Sequence, residues 1–329
     1  MKYCLFLSLS ILFAFIFPAE SKAQITDPTN TESGIRGAPR VYKFSARTTA
    51  LGNATVAGIH DLMAINMNPA SLAFVKNLNA VQFNIYQNWN NNLMLENITF
   101  PLFASSQHTF AAQFGMHHGG ITATNFLGTS PLPQPSITQY QLDLAYAYTI
   151  DGVLSLGIMN NISFAQNNNE SQAQYWTSFV TLGLLYSPSQ SVSYGLSFRG
   201  LGRSVIYRFI SGGRTALVSQ NLREVLELGA TMRFPVNTRD PYMVISMANE
   251  KRFGLDGIWY KAGVDARPWS FLSLRAGIMI QSATEVVAPR FGIGIISDFI
   301  ELDYAISYDN DLYERFHQLT LTLHLGQIR

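Results

Sequence analysis

Of seven charged side chains in the last third of the chain, five fall into two sets at even spacings. Lys261, Asp265 and Arg267 form one set, Glu301 and Asp303 another, and Arg275 and Arg290 stand between them. Residues an even number apart on an extended strand share a face. Acids and bases gathered on such a face could bind ions, select solutes by charge, or pair with one another. Pairing is the preferred reading, because an unpaired charge at low dielectric is costly. A selectivity surface, or an anchor that holds the N-terminal segment through Arg47, uses the same residues.

Catalytic constellations are harder to assemble. The six histidines are His60, His108, His117, His118, His317 and His324. None lies in a nucleophile-elbow pattern, and no nucleotide loop, zinc-protease helix or cysteine cluster occurs. The string His117-His118-Gly119-Gly120 could form a metal-attracting loop tip, but it reads better as the polar end of a strand that its glycines break. No catalytic residue, metal site or cofactor is assigned, and the chain is expected not to be an enzyme.

The elements that carry these side chains are strands. Ile300, Leu302, Tyr304, Ile306 and Tyr308 alternate with Glu301, Asp303, Ala305 and Ser307. Leu319, Leu321, Leu323 and Leu325 alternate with Gln318, Thr320, Thr322 and His324, and Leu142, Leu144, Tyr146 and Tyr148 with Gln141, Asp143 and Thr149. Each segment therefore has one apolar and one polar side. The polar sides mix charges (Asp143, Arg199, Glu227, Arg233) with small residues (Gly183, Gly195, Gly229, Gly263, Gly277, Gly292). That mixture suits a wet or plugged lumen, while the apolar sides would meet lipid. Trp176, Tyr186, Trp259, Tyr260, Trp269 and Phe271 fall near strand ends, where aromatic girdles sit.

Connection lengths favour a membrane barrel over a soluble sandwich. About fourteen strand candidates follow Leu78, an even number as a single-chain bacterial barrel requires. Tight connections at Asp151-Gly152, 187–191, 235–240, 268–270 and 297–298 alternate with longer ones at 118–136, 166–172, 203–221 and 249–255. Short turns at one end and long loops at the other are the asymmetry of such barrels. The fold expected is all-β: a transmembrane antiparallel β-barrel of about 14 strands with an N-terminal hatch.

The chain opens with a basic Lys2, an apolar run from Leu5 to Phe17, and Ser21-Lys22-Ala23, the layout of a secretory signal peptide. Cleavage after residue 23 would remove Lys2, Lys22 and Glu20 and leave 20 basic and 20 acidic residues. This balance, without a concentrated basic face, argues against a nucleic-acid partner. Cys4, the one cysteine, lies in the segment removed, so no disulfide or thiolate site is expected. The organisation is thus 1–23 signal peptide, 24–77 hatch, and 78–329 barrel. Within the hatch a short helix is expected near Asp61 to Asn66 and a turn at Asn68-Pro69, where proline restricts its predecessor and Ala70 permits close approach.

Ser45-Ala46-Arg47-Thr48-Thr49-Ala50-Leu51-Gly52-Asn53-Ala54, then Asp61 and Asn66-Met67-Asn68-Pro69-Ala70-Ser71-Leu72-Ala73, resemble the N-terminal region of the PorV/PorQ family of barrels, relatives of the FadL fatty-acid transporters. Leu302-Asp303-Tyr304-Ala305 and Phe316 to Leu323 look like that family's closing hairpin. The resemblance implies a fourteen-stranded barrel with the hatch in its lumen, in the outer membrane of a Gram-negative, Bacteroidetes-like bacterium. Two roles follow from it: an accessory of type IX protein secretion, which is preferred on family grounds, or a passive transporter of hydrophobic small molecules. Partners would be outer-membrane lipid, secretion-system or surface cargo proteins, or a hydrophobic small molecule. By analogy with the fatty-acid transporters, Gly115, Gly119 and Gly120 could kink the third strand into a lateral opening. Apolar residues of 118–136 and 203–221 would serve either role.

Overall fold

The computed structural model describes residues 44–58, 61–75, 79–88, 93–120, 136–167, 174–211, 214–221, 224–235, 242–284, 286–309 and 314–325. The expected signal peptide lies outside the described residues. Fifteen strands occur among them: β1 Ala80–Asn88, β2 Leu93–Ala104, β3 His108–Gly120, β4 Ser136–Ile150, β5 Leu154–Asn167, β6 Gln174–Ser189, β7 Val192–Ser211, β8 Arg214–Asn221, β9 Val225–Phe234, β10 Met243–Arg252, β11 Trp259–Trp269, β12 Leu272–Gln281, β13 Val287–Ile296, β14 Ile300–Asp309 and β15 Glu314–His324.

Consecutive strands pair antiparallel except β8 and β9, and β1 pairs with β15 over its whole length, from Ala80↔His324 to Asn88↔Phe316. The ring closes through β6–β7 and β7–β9, which makes fourteen staves. β8 lies outside the ring, because β7 continues past β9 and returns as β8, from Ser204↔Asn221 to Ser211↔Arg214. The stretch 203–221, expected as an open apolar loop, is therefore a hairpin. Its run Val205-Ile206-Tyr207 and Phe209-Ile210 favours a pleated strand over a loop.

Alternation appears as two faces of the wall. Leu142, Leu144, Leu156, Ile158, Leu182, Phe291 and Ile293 point outward and are exposed, while Asp143, Asn161, Ser197 and Asp303 point inward and are buried. Ten tilted residues span roughly the 25 Å of a barrel's apolar band. Closure removes the sheet edges that an open sheet of this size would leave for aggregation. At Asp151-Gly152 both residues take positive φ, 52° and 67°, the backbone of the primed turn that matches strand twist. Trp176, Tyr186, Tyr260, Trp269 and Phe271 face outward near strand ends. Trp259 does not: it is buried in the lumen, with Arg252 lying 5.3 Å from its ring centre.

Tight connections at 105–107, 151–153, 190–191, 270–271 and 297–299 mark one end of the barrel, the turn end. Connections 121–135, 168–173 and 253–258 and the β7–β8 hairpin mark the other, the loop end.

Candidate functional site

The lumen is crossed by residues 44–58 and 61–75. A single helical turn, α1 (Ala46–Ala50), begins at Ser45, whose Oγ accepts from the Thr48 amide at 3.1 Å. Two 3-10 turns follow, Leu62–Asn66 capped by Asp61 and Pro69–Phe74 capped by Asn68. The second and third elements stand where a short helix and a turn were expected. α1 was missed, although the Ser45 cap before a small-residue run was its signal. Asp61 ties the first two elements together, accepting from the Ser45 and Thr48 hydroxyls and from the Met63 amide at 3.0 Å. Burial opposes the charge on Arg47 in α1, but Asp265 beside it holds its pKa above the usual arginine value.

Glycines on the wall seat this segment. Gly157 faces Gly183 across β5–β6, Gly195 faces Gly229 across β7–β9, and Gly263 faces Gly277 across β11–β12. A Cβ at Gly157 would overlap the Pro69–Ala70 backbone, and one at Gly195 the Val56 backbone. One at Gly277 would overlap Leu51 and Gly52. Hatch backbone therefore lies directly on wall backbone, an approach that any side chain would prevent.

Polar contacts fasten the segment further. The Asn68 side-chain amide donates to the Val56 carbonyl at 2.8 Å and to the Leu184 carbonyl of β6 at 3.0 Å, while its oxygen accepts from Ala70 N at 3.1 Å. Asn68, Pro69 and Ala70 are all buried. Ala46 N donates to Thr320 Oγ1 at 2.7 Å, Thr49 Oγ1 to Gln318 Oε1 at 2.6 Å, and Ser193 Oγ to the Ala57 carbonyl at 2.6 Å.

The charged residues expected to form one network form two clusters. Arg275 pairs with Asp303, with Asp265 at 3.2 Å and with Glu301 at 3.5 Å. Arg47 joins that cluster from the hatch, 3.0 Å from Asp265 and 3.8 Å from Glu301. Lys261 stands in the other cluster, 3.0 Å from Glu227 and 2.6 Å from Glu250. Arg199 meets the same two carboxylates at 2.7 Å each, and Arg252 meets Glu250 at 2.6 Å. The separation comes from register, since Lys261 lies opposite Ala248, two residues from Glu250, whereas Asp265 lies opposite Arg275. Arg290 lies over the Phe316 ring at 5.7 Å. Arg267 is half-buried and forms no ion pair among the described residues.

The third strand does not provide the opening expected at Gly115, Gly119 and Gly120. β3 pairs with β4 without a shift from His108↔Tyr148 to Gly120↔Ser136. Its ladder with β2 shifts only between Pro101 and Phe103, near the turn end. Gly115 instead makes room for Asn97, whose side-chain oxygen overlies it. Flanking strands pair both edges, so its missing side chain frees no backbone hydrogen bond. The wall's shifts concentrate between β6 and β7, at Ser178/Val180 and Val180/Leu182, opposite Gly200 and Gly202 at positive φ.

Toward the loop end the lumen presents apolar surface that parity hid. Tyr86, Leu95 and Phe316 form one buried cluster, with the Tyr86 and Phe316 rings 4.8 Å apart. Trp259, Met279, Val286 and Ala288 form another. Toward the turn end, Thr48, Asp61, Thr231, Arg233 and Ser246 border a cavity of about 40 Å³. That is room for water, not for a solute of several heavy atoms.

No known family profile matches the chain, and no curated protein matches it. Solved structures do. The CymD monoaromatic hydrocarbon channel aligns with a TM-score of 0.62 at 10% identity, over 87% of this chain and 97% of that one. A Pseudomonas aeruginosa FadL homologue aligns at 0.61 and 10% identity, over 87% and 99%. The Ralstonia pickettii toluene transporter TbuX aligns at 0.59 and 12% identity, over 85% and 97%. The likeness is one of fold. Two of the three bear the names of a channel and a transporter.

Proposed function

We propose that the barrel resides in the outer membrane of a Gram-negative bacterium, is exported by residues 1–23, and is a passive channel for hydrophobic small molecules. It is not an enzyme on this reading. The supporting observation is the buried aromatic surface toward the loop end, built from Tyr86, Phe316 and Trp259. Apolar pockets with a few polar groups are the usual form of small-molecule sites. The fold shared with channels named for toluene and monoaromatic hydrocarbons supports the same reading. It outweighs the secretion role preferred on sequence resemblance, which draws no support from the solved structures.

The test is uptake of radiolabelled toluene and of a medium-chain aliphatic compound by cells that make the protein or lack it. Faster uptake with the wild-type chain, reduced by Phe316→Asp at equal barrel abundance, is expected. Equal uptake with and without the protein would end the proposal. The resemblance of 45–54 and 66–73 still favours a secretion accessory as a second reading. Purification of the tagged chain from solubilised membranes, with secreted proteins bound and no effect on uptake, would favour it.

A further inference from the structure

The hatch is fastened unevenly around the wall. Hatch backbone lies on wall glycines at Gly157 of β5, Gly195 of β7, Gly263 of β11 and Gly277 of β12, hatch side chains meet Gly183, Gly229 and Gly292, and Ala46 and Ala50 pack on Ala305 of β14. On β1 and β3 its polar contacts run through the ends of long amides: Met63 N to Gln82 Oε1 at 2.9 Å and Asn66 Nδ2 to Gln113 Oε1 at 2.8 Å.

On this second arc the wall carries polar atoms that find no protein partner among the described residues. They are Asn84 Nδ2, both side-chain polar atoms of Asn97, Thr99 Oγ1, Gln113 Nε2 and Gln141 Oε1. The atoms are contiguous. Asn84 faces Asn97, Asn97 faces Gly115, and Gly115 faces Gln141; Thr99 faces Gln113 in the adjoining row. All five side chains are more than nine-tenths buried, the most exposed being Asn97 at 4%. A buried primary amide left unsatisfied costs about 1–3 kcal/mol per group, and buried polar groups of this kind are satisfied by protein or by water. Elsewhere on the strands the amide groups of the inner wall find partners, and the unsatisfied neutral atoms are hydroxyls, which can rotate toward nearby carbonyls.

We infer that a hydrated seam runs between the hatch and the wall along β1 to β4, entered from the loop end, and that the plug yields on this side. Water in the seam satisfies the amides. Opening it moves side chains, whereas opening the other arc would also pull backbone from backbone at Gly157, Gly195, Gly263 and Gly277. The inference does not depend on which solute the barrel carries.

Single cysteines in a Cys4→Ser background test it, in the full chain in intact outer membranes. A membrane-impermeant thiol reagent added outside should label Asn97→Cys, Thr99→Cys and Gln113→Cys roughly tenfold faster than Ala248→Cys and Ala305→Cys, which are equally buried beneath the fastened arc. Thr99→Cys and Ala248→Cys change volume little, so that comparison holds even if the amide variants fail to assemble. Equal rates on the two arcs, faster labelling at Ala248→Cys or Ala305→Cys, or no labelling at any position would overturn the inference.

Discussion

Gly157 stands opposite Gly183 across the β5–β6 ladder, and Asn68, Pro69 and Ala70 occupy the space both leave. The pair turns two adjacent staves into a socket. At Gly157 an added methyl group would meet hatch backbone, and at Gly183 it would meet the Asn68 side-chain oxygen and the Pro69 ring, which the Asn68 hydrogen bonds hold in place.

Gly183→Ala and Gly157→Ala are therefore expected to lift the third hatch element. Overpacking of a tight contact costs about 1–3 kcal/mol. Thermal unfolding in detergent should shift down by a few degrees, with increased entry of a small hydrophilic dye. Unchanged melting and permeability in both variants would show that the socket tolerates a Cβ.

Asn68 is both a helix cap and a rivet, and two substitutions separate these roles. Asn68→Asp keeps the oxygen that caps Ala70 N but loses the amide that donates to Val56 and Leu184. At an ordinary cap, Asp is as good as Asn and Ala costs about 1 kcal/mol. Here Asp should be at least as destabilising as Ala, since it sets a carboxylate against two carbonyls. A melting point for Asn68→Asp close to wild type would reduce the residue to a cap.

Arg275 is the hub of the hatch-side charge cluster, with its side chain 0% exposed. Arg275→Met leaves Asp303 and Asp265 buried with fewer partners, and breaking a buried pair this way costs about 3–5 kcal/mol. Chemical denaturation should detect a large loss together with higher small-solute leakage. Adding Asp303→Asn should restore part of it, because one uncompensated charge goes. Full stability in Arg275→Met would mean that the wall does not need the pairing.

Arg47→Ala removes the hatch's own charge while leaving Asp265 its bond to Arg275. Hydrogen bonds to charged groups contribute about 1.5–3 kcal/mol. The barrel should keep its melting point within a few degrees while planar-bilayer recordings show more frequent opening. Silent recordings would assign the anchoring to the glycine seats alone.

What the sequence determined was local. Alternation of Leu319, Leu321 and Leu323 with Gln318, Thr320 and Thr322 identifies both faces of a strand without any partner. Connection lengths order the strands, and the Asp151-Gly152 dipeptide specifies its own turn. What the tertiary structure alone decided was which residues meet across the ring. Lys261 and Asp265 share a face four residues apart, yet register gives one to Glu227 and Glu250 and the other to Arg275 and Arg47. The same face holds charges, seat glycines and the inward aromatics Tyr86, Trp259 and Phe316, so parity could not separate a binding wall from a salt-bridged one. The third strand's glycines suggest a kink, but both neighbouring ladders run through Gly115, and the β3–β4 ladder continues through Gly119 and Gly120. A strand's faces follow from its own backbone geometry, whereas its partners follow from closure of fourteen staves at one shear, a condition no single segment carries.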